Sequence, residues 1–151
     1  MARVRRKAFA LILREHPDDG QIELLVLWFK GLSALRLPGG GVERHEAIEQ
    51  GLYREISEES GLHPTQIEPL RKLGVAYYFK MFIQADVERH DFLFMARGTL
   101  PDRWEHIGTG EGGDANAIFH YRWIRTDELD SIDEELRTFI TPEHIPELFA
   151  D

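Results

Sequence analysis

Three glutamates within one helical turn narrow what this chain can fold into. They lie in LPGGGVERHEAIEQGLYREISEESGL, Leu37 to Leu62, where Glu55, Glu58 and Glu59 crowd together in a stretch with helical spacing. Ile48, Leu52, Glu55 and Glu59 recur at i, i+4, i+7 and i+11, which is a single helical face. Gln50, Tyr53, Ser57 and Ser60 fall on the opposite face. The helix is therefore expected to bury Ile48 and Leu52 and to aim Glu55 and Glu59 along the same stripe, with Glu58 beside Glu55 at i+3. Acids that only solubilise a helix would lie opposite its apolar stripe.

Carboxylates at this spacing repel one another, and the cost grows as water is withdrawn. Protonation, basic partners or a cation can relieve it. Arg54 reaches Glu58 at i+4, yet one guanidinium cannot neutralise three carboxylates. A hard divalent ion, Mg²⁺ or Mn²⁺, fits the remainder, because it prefers oxygen ligands and keeps positions open for phosphate oxygens. The glycines Gly39 to Gly41 just upstream allow a sharp turn that presents backbone groups to such a site. The alternative at this point is a salt-bridged helix in a slightly different register.

Around this stretch the chain reads as alternating strands and helices. Val4 to Leu13 and Ile22 to Lys30 are aliphatic strands joined across HPDDGQ, whose Pro17, Asp18, Asp19 and Gly20 are turn formers, so a hairpin is expected. Gly61 suits the left-handed residue that ends a helix, with Leu62 packing back, and Pro64 discourages continuation. Leu73 to Phe82, Asp91 to Arg97 and Ala117 to Ile124 are further strands. Thr126 to Ile140 has the period of an amphipathic helix with Thr126 as N-cap. Leu100 to Asn116 reads as a long glycine-rich loop that could cover a site. The pattern implies one α/β domain over residues 1–151, a mixed sheet flanked by helices.

The formal charge of −9 disfavours general affinity for a nucleic-acid backbone. The charge is uneven: Arg3, Arg5, Arg6 and Lys7 open the chain and could line an anion site, while Asp127 to Asp151 is acidic and reads as a solvated helical face. No cysteine is present, which excludes disulfides and thiolate metal sites. No run has the length of a membrane span, and FALIL is too short for a signal-peptide core. A cytoplasmic setting without membrane contact is expected.

The glutamate stretch closely resembles the signature of the Nudix hydrolases, G-x5-E-x7-R-E-U-x-E-E-x-G-U with U apolar. Gly40, Glu46, Arg54-Glu55, Ile56, Glu58-Glu59, Gly61 and Leu62 meet every fixed position in register. The resemblance covers 23 residues, and it implies a Nudix-type α/β/α sandwich with a mixed β-sheet. It further implies that Glu55, Glu58 and Glu59 bind Mg²⁺ or Mn²⁺ together with the Gly40 carbonyl. Arg54 would hold the helix in shape, and Glu46 would support the loop or reach the metal through water. The implied reaction is cleavage of a nucleoside diphosphate linked to another group, by attack of water at phosphorus. His45, where a glycine is frequent, and Gly51-Leu52 depart from common residues at variable positions. A helix-interior glycine costs about 1 kcal/mol against alanine, which close packing could offset.

The family has no universal general base. Glu58 or Glu59 is one choice, and Glu111 or Asp114 in the loop GTGEGGDANA is another. Tyr77 and Tyr78 lie near where a tyrosine marks some dinucleoside polyphosphate hydrolases of the family, and a phenol ring stacks on a base. Strand packing is their ordinary alternative. Lys80 and Arg89 are candidate phosphate contacts that could equally be solvated. The expected partner is a small-molecule nucleotide, either a dinucleoside polyphosphate or a nucleoside triphosphate, with a capped RNA end less favoured. A homodimer is compatible with this reading. The rival readings are a nucleotide-sensing Nudix domain without turnover and an interaction module with an acidic helix.

Overall fold

A period of two in the N-terminal strand organises the molecule. The computed structural model describes residues 4–109 and 116–150. In β1 (Val4–Glu15), Ala8, Ala10 and Ile12 are buried on one face and Phe9, Leu11 and Leu13 on the other. Burial on both faces marks a central strand. β2 (Ile22–Trp28) returns antiparallel with Leu13 opposite Leu24, so the expected hairpin is present, and it divides Leu25 and Leu27 from Leu24 and Val26 in the same way.

The remaining strands extend this pair. β3 (Gly39–Gly41) pairs with the N-terminal half of β1, Lys7 facing Gly41. β4 (Ile67–Lys80) and β5 (Ala85–Ala96) form a second antiparallel hairpin, and β5 runs parallel to β1 from Val4 opposite Asp86 to Leu13 opposite Met95. β6 (Arg103–Ile107) and β7 (Ile118–Ile124) complete a sheet of order β4-β5-β1-β2-β7-β6. One parallel pair among antiparallel ones makes it the mixed sheet that was expected.

Helix α1 (Ile48–Ser60) covers one face, packing Leu52 and Ile56 against Ala8, Ala10, Ile12, Phe94 and Tyr121. The other face is covered by Leu37, Ile132, Leu136, Ile145 and Leu148. The predicted helix over Thr126 to Ile140 is not there. Two 3₁₀ turns replace it, Thr126–Ser131 and Glu134–Arg137, and the first is capped by Arg125 rather than Thr126. The break has a visible cause. Leu35 donates its N–H to the Ser131 carbonyl at 2.8 Å and accepts from Asp133 N–H at 2.8 Å. Those two groups are thereby lost to any helix, and Ile132 is drawn into extended backbone and buried. The last helical piece, α2 (Pro146–Phe149), is one turn.

The loop over Leu100 to Asn116 also needs correcting, because β6 lies inside it. Its alternation puts Trp104 on the α1 side, where the indole stacks on Tyr121 at 4.9 Å and donates to the Ser60 carbonyl at 3.0 Å. Five residues with two charges gave too weak a strand signal.

Candidate active site

The burial of α1 is rotated from the sequence expectation. Its buried residues are Gly51, Leu52, Ile56 and Ser60, so Ser60 belongs to the inner face and not the outer one. The Ser60 hydroxyl donates to the Ile56 carbonyl and accepts from Leu62 N–H at 3.1 Å. Glu55 and Glu58 therefore flank the buried stripe, 19% and 29% exposed, instead of continuing it. Gly61 ends the helix with φ 76°, as expected. Gly51 is explained by contact: a Cβ there would fall 2.9 Å from Val42 Cγ1 and 3.2 Å from Glu46 Oε1.

Arg54 is the hub of the carboxylate cluster. Its Nε and Nη2 donate to the two Glu46 oxygens at 2.7 and 2.9 Å, a bidentate fork, and Nη2 also donates to the Gly41 carbonyl at 2.9 Å. Nη1 reaches Glu55 at 3.1 Å and Glu58 at 3.3 Å. Glu46 is buried and also accepts Glu43 N–H at 2.7 Å. The Arg54 hydrogen bonds lead in holding its carboxyl down at about 2, against the opposing effect of burial. Arg54 is correspondingly raised, Glu46 again being the main cause.

The glycines press the loop against this cluster. Gly39 has φ 140°, and a Cβ there would lie 2.2 Å from the Ala8 carbonyl oxygen. Its N–H donates to Glu59 Oε1 at 3.3 Å. A Cβ on Gly40 would fall 2.9 Å from the Glu55 carboxylate, so the backbone and that side chain meet directly. Among the described residues no three Asp, Glu or His side chains converge at metal-binding spacing, and Nη1 of Arg54 draws Glu55 and Glu58 to itself. The donor chemistry nonetheless fits a hard cation: carboxylates on one turn, with the Gly40 backbone held against one of them.

A cavity of about 850 Å³ opens beside Glu55, lined also by Arg5, Arg6, Lys7, Gly41, Arg44 and Glu88. The basic start of the chain thus borders the carboxylate helix. Arg6 is already engaged, its Nη2 donating to the Glu43, Arg44 and Glu46 carbonyls at 2.6, 3.2 and 3.0 Å, and so braces the loop into α1. The Lys7 ammonium is lowered, first by burial and then by Lys80 and Arg36. Glu88 was not singled out from the sequence. Its Oε2 meets His90 Nε2 at 2.9 Å, and His90 Nδ1 meets Lys72 Nζ at 2.7 Å. A lysine ammonium can only donate, so Nδ1 accepts and Nε2 carries the proton given to Glu88. Lys72, Glu88 and His90 lie outside the strands read from the sequence, and nothing in their spacing signals this relay.

The other candidates are dispersed. Tyr77 pairs with Glu88, which pairs with Arg6, and this puts Tyr77 on the α1 side of the sheet, 72% exposed. Tyr78 takes the opposite face, where the Arg89 guanidinium lies 5.6 Å from its ring centre. Lys80 is paired with Glu135 at 3.1 Å. Arg89 is fully buried rather than solvated; it donates to Asp91 at 3.0 Å and to the Glu135 carbonyl. Glu111 and Asp114 lie outside the described residues. Thr109, ahead of them in sequence, donates its N–H to the Glu58 carbonyl at 3.2 Å.

Comparison with known proteins decides the family. The profile of the NUDIX domain matches residues 4–144. The chain belongs to the Nudix family. An RNA pyrophosphohydrolase of Cellvibrio japonicus (strain Ueda107) is 41% identical over 68 residues, covering 43% of this chain and 36% of that protein. One of Histophilus somni (strain 2336) is 44% identical over 50 residues, 32% of this chain and 26% of that one. The matched segments span about a third or less of these relatives. Among solved structures, the C. elegans Ap4A hydrolase superposes with a TM-score of 0.66 at 18% identity, covering 98% of both chains. The NUDIX domain of Shewanella oneidensis NrtR, complexed with ADP ribose, gives 0.64 at 14% identity, covering 99% of this chain and 91% of that one. At such identities the likeness establishes the Nudix fold. No helix among the described residues is long and apolar enough to cross a membrane.

Proposed function

We propose that this Nudix chain is a pyrophosphohydrolase, dependent on Mg²⁺ or Mn²⁺, that cleaves a nucleoside diphosphate linked to another group. The observation that carries the reading is the junction of the Glu55–Glu59 turn with a charged cavity, Glu55 lining both. A bound divalent ion would supply charge neutralisation of the phosphate oxygens and acidify a water. Glu55, Glu58, Glu59 and the Gly40 carbonyl are the groups we assign to hold it.

The chain's own residues do the rest. Arg44 reaches a phosphate chain along the cavity, while Arg54 keeps Glu55 and Glu58 aimed by anchoring the helix to Glu46 and Gly41. Water forms the new P–O bond, its proton passes to a carboxylate, and the anhydride P–O bond breaks with its electron pair leaving on the departing phosphate. Glu58 or Glu59 takes that proton in our assignment, with Glu111 the alternative. Tyr77 is assigned to the base, because it shares the cavity's side of the sheet; Tyr78 and Lys80 face away and are not assigned to substrate. Residues 1–151 act as one domain in this reading, in the cytoplasm, where nucleotides and Mg²⁺ occur together.

Dinucleoside polyphosphates and nucleoside triphosphates are the favoured substrates. RNA joins them because relatives of the chain are named RNA pyrophosphohydrolase. The test is a product assay on this set, with ADP-ribose added, in Mg²⁺ and in Mn²⁺. Metal-dependent turnover that collapses in Glu58→Gln and Glu59→Gln supports the reading. Tight binding of a nucleotide without turnover in either metal would replace it with a sensing role.

A further inference from the structure

The Lys72–His90–Glu88 relay ends in the cavity, and the hydrolysis described above makes no use of it. Glu88 lines that cavity together with Glu55. Arg6 lies opposite Glu88 on β1, yet its Nη2 is engaged by the Glu43, Arg44 and Glu46 carbonyls. The partner that Glu88 does have is His90. Tyr77 is set directly opposite Glu88 in the β4–β5 pair, on the same face of the sheet, and is 72% exposed.

The relay decides what this carboxylate offers. The Lys72 ammonium, 2.7 Å away, donates to His90 Nδ1, so His90 must donate from Nε2 to Glu88 Oε2 at 2.9 Å. His90 is buried, which holds both bonds away from solvent. Glu88 is thereby fixed as an acceptor, with Oε2 shared and Oε1 turned to whatever enters the cavity. A phosphate oxygen is an acceptor of like charge and is the wrong group for this place. A pair of adjacent N–H donors is the right one. Guanine has that edge, N1–H beside its N2 amino group. Adenine sets its N6 amino group beside N1, an acceptor that would face a carboxylate oxygen. Cytosine has the same conflict at N3, and uracil offers one N–H between two carbonyls.

We propose that Glu88 reads the base of the substrate and selects guanine, with Tyr77 as the stacking surface and His90 and Lys72 as positioning residues. The proposal rests on the pyrophosphohydrolase reading and narrows its substrates to guanine nucleotides. Directly opposed residues of an antiparallel pair have Cβ atoms ~4.5–5.5 Å apart, so a base lying on the Tyr77 ring has its edge within reach of the neighbouring carboxylate. Aromatic stacking is tolerant of base identity, so discrimination falls to Glu88. A well-placed bidentate pair separates right base from wrong by about 10–100-fold.

The test is titration calorimetry of the full chain with GMP and AMP in Mg²⁺, neither of which has an anhydride bond to break, with turnover of GTP and ATP followed on the same samples. Wild type should bind GMP about 10–100-fold more tightly than AMP. Glu88→Gln should reverse that order. His90 still donates to the side-chain oxygen, so the amide nitrogen turns to the cavity, and an oxygen beside an N–H matches the adenine edge. A misfolded variant cannot produce a reversal. His90→Leu releases the carboxylate and should shrink the preference without reversing it. Equal affinities in wild type overturn the proposal. So does a Glu88→Gln variant that weakens both nucleotides alike, as a carboxylate bound to metal or ribose would give. Turnover of GTP and ATP without preference would refute guanine selection and leave the hydrolase reading standing. Guanine-selective binding without turnover of either would do the opposite.

Discussion

Replacing Arg54 with methionine should unfold the chain more readily, and by an amount the geometry sets. The substitution removes all the hydrogen bonds from Arg54 to Glu46, Gly41, Glu55 and Glu58 while keeping much of the side-chain volume. Glu46 is left with a side chain only 6% exposed and no cation beside it. Breaking a buried pair costs about 3–5 kcal/mol. Arg54 itself is 29% exposed, so solvent offsets part of this and about 3 kcal/mol is expected. In a domain of this size that lowers Tm by about 6–12 °C.

The same pair predicts the pH dependence. The Glu46 carboxyl is held at about 2, below its ordinary 4.5, with Arg54 the leading cause. A lowered carboxyl stabilises the fold fully above its unfolded value, and that stabilisation is lost as pH falls through its folded value. The gap between wild type and Arg54→Met should thus be constant from pH 7 to about 4.5 and close toward pH 2. Thermal melts followed by circular dichroism, on Arg54→Met, Glu46→Gln and the double variant, measure both effects. The double variant should cost clearly less than the sum of the single ones. An Arg54→Met loss below about 0.5 kcal/mol, typical of a surface pair, or a gap that does not narrow in acid, would refute the reasoning.

Other substitutions separate packing from chemistry. Gly40→Ala drives a Cβ to 2.9 Å from the Glu55 carboxylate, and should reduce turnover about 10–100-fold, as displaced metal-site neighbours do, with Tm within a few degrees of wild type. Gly51→Ala would gain about 1 kcal/mol from helix propensity alone. The 2.9 Å approach to Val42 predicts net destabilisation instead, read from the denaturant midpoint. Asp91→Asn leaves the fully buried Arg89 without its carboxylate and should cost about 3 kcal/mol by the same measurement.

Elements governed by local rules were legible in the sequence. The β1–β2 hairpin followed from aliphatic runs around a turn sequence, and Gly61 followed from the need for a left-handed residue after a helix. The glutamate turn was visible as a charge pattern too costly to be incidental. Its exact burial was not, because Ile56 and Ser60 rather than Glu55 and Glu59 complete the inner face, a difference of part of a helical turn. The failed helix over Thr126 to Ile140 shows the limit from the other direction. Leu129, Ile132 and Leu136 keep a helical period, yet the hydrogen bonds of Ser131 and Asp133 are claimed by Leu35, nearly a hundred residues away in sequence. The Glu88–His90–Lys72 relay likewise depends on which residues two strands set side by side. A single sequence does not state that register.

The central claim is that the α1 carboxylates, with a divalent ion, direct water onto phosphorus. Hydrolysis in ¹⁸O-labelled water, with mass spectrometry of the phosphate products, tests it most directly. The account predicts one labelled oxygen in a phosphate-containing product, formed only with Mg²⁺ or Mn²⁺ and lost in Glu59→Gln. Turnover that persists in excess chelator, or products carrying no label, would contradict it.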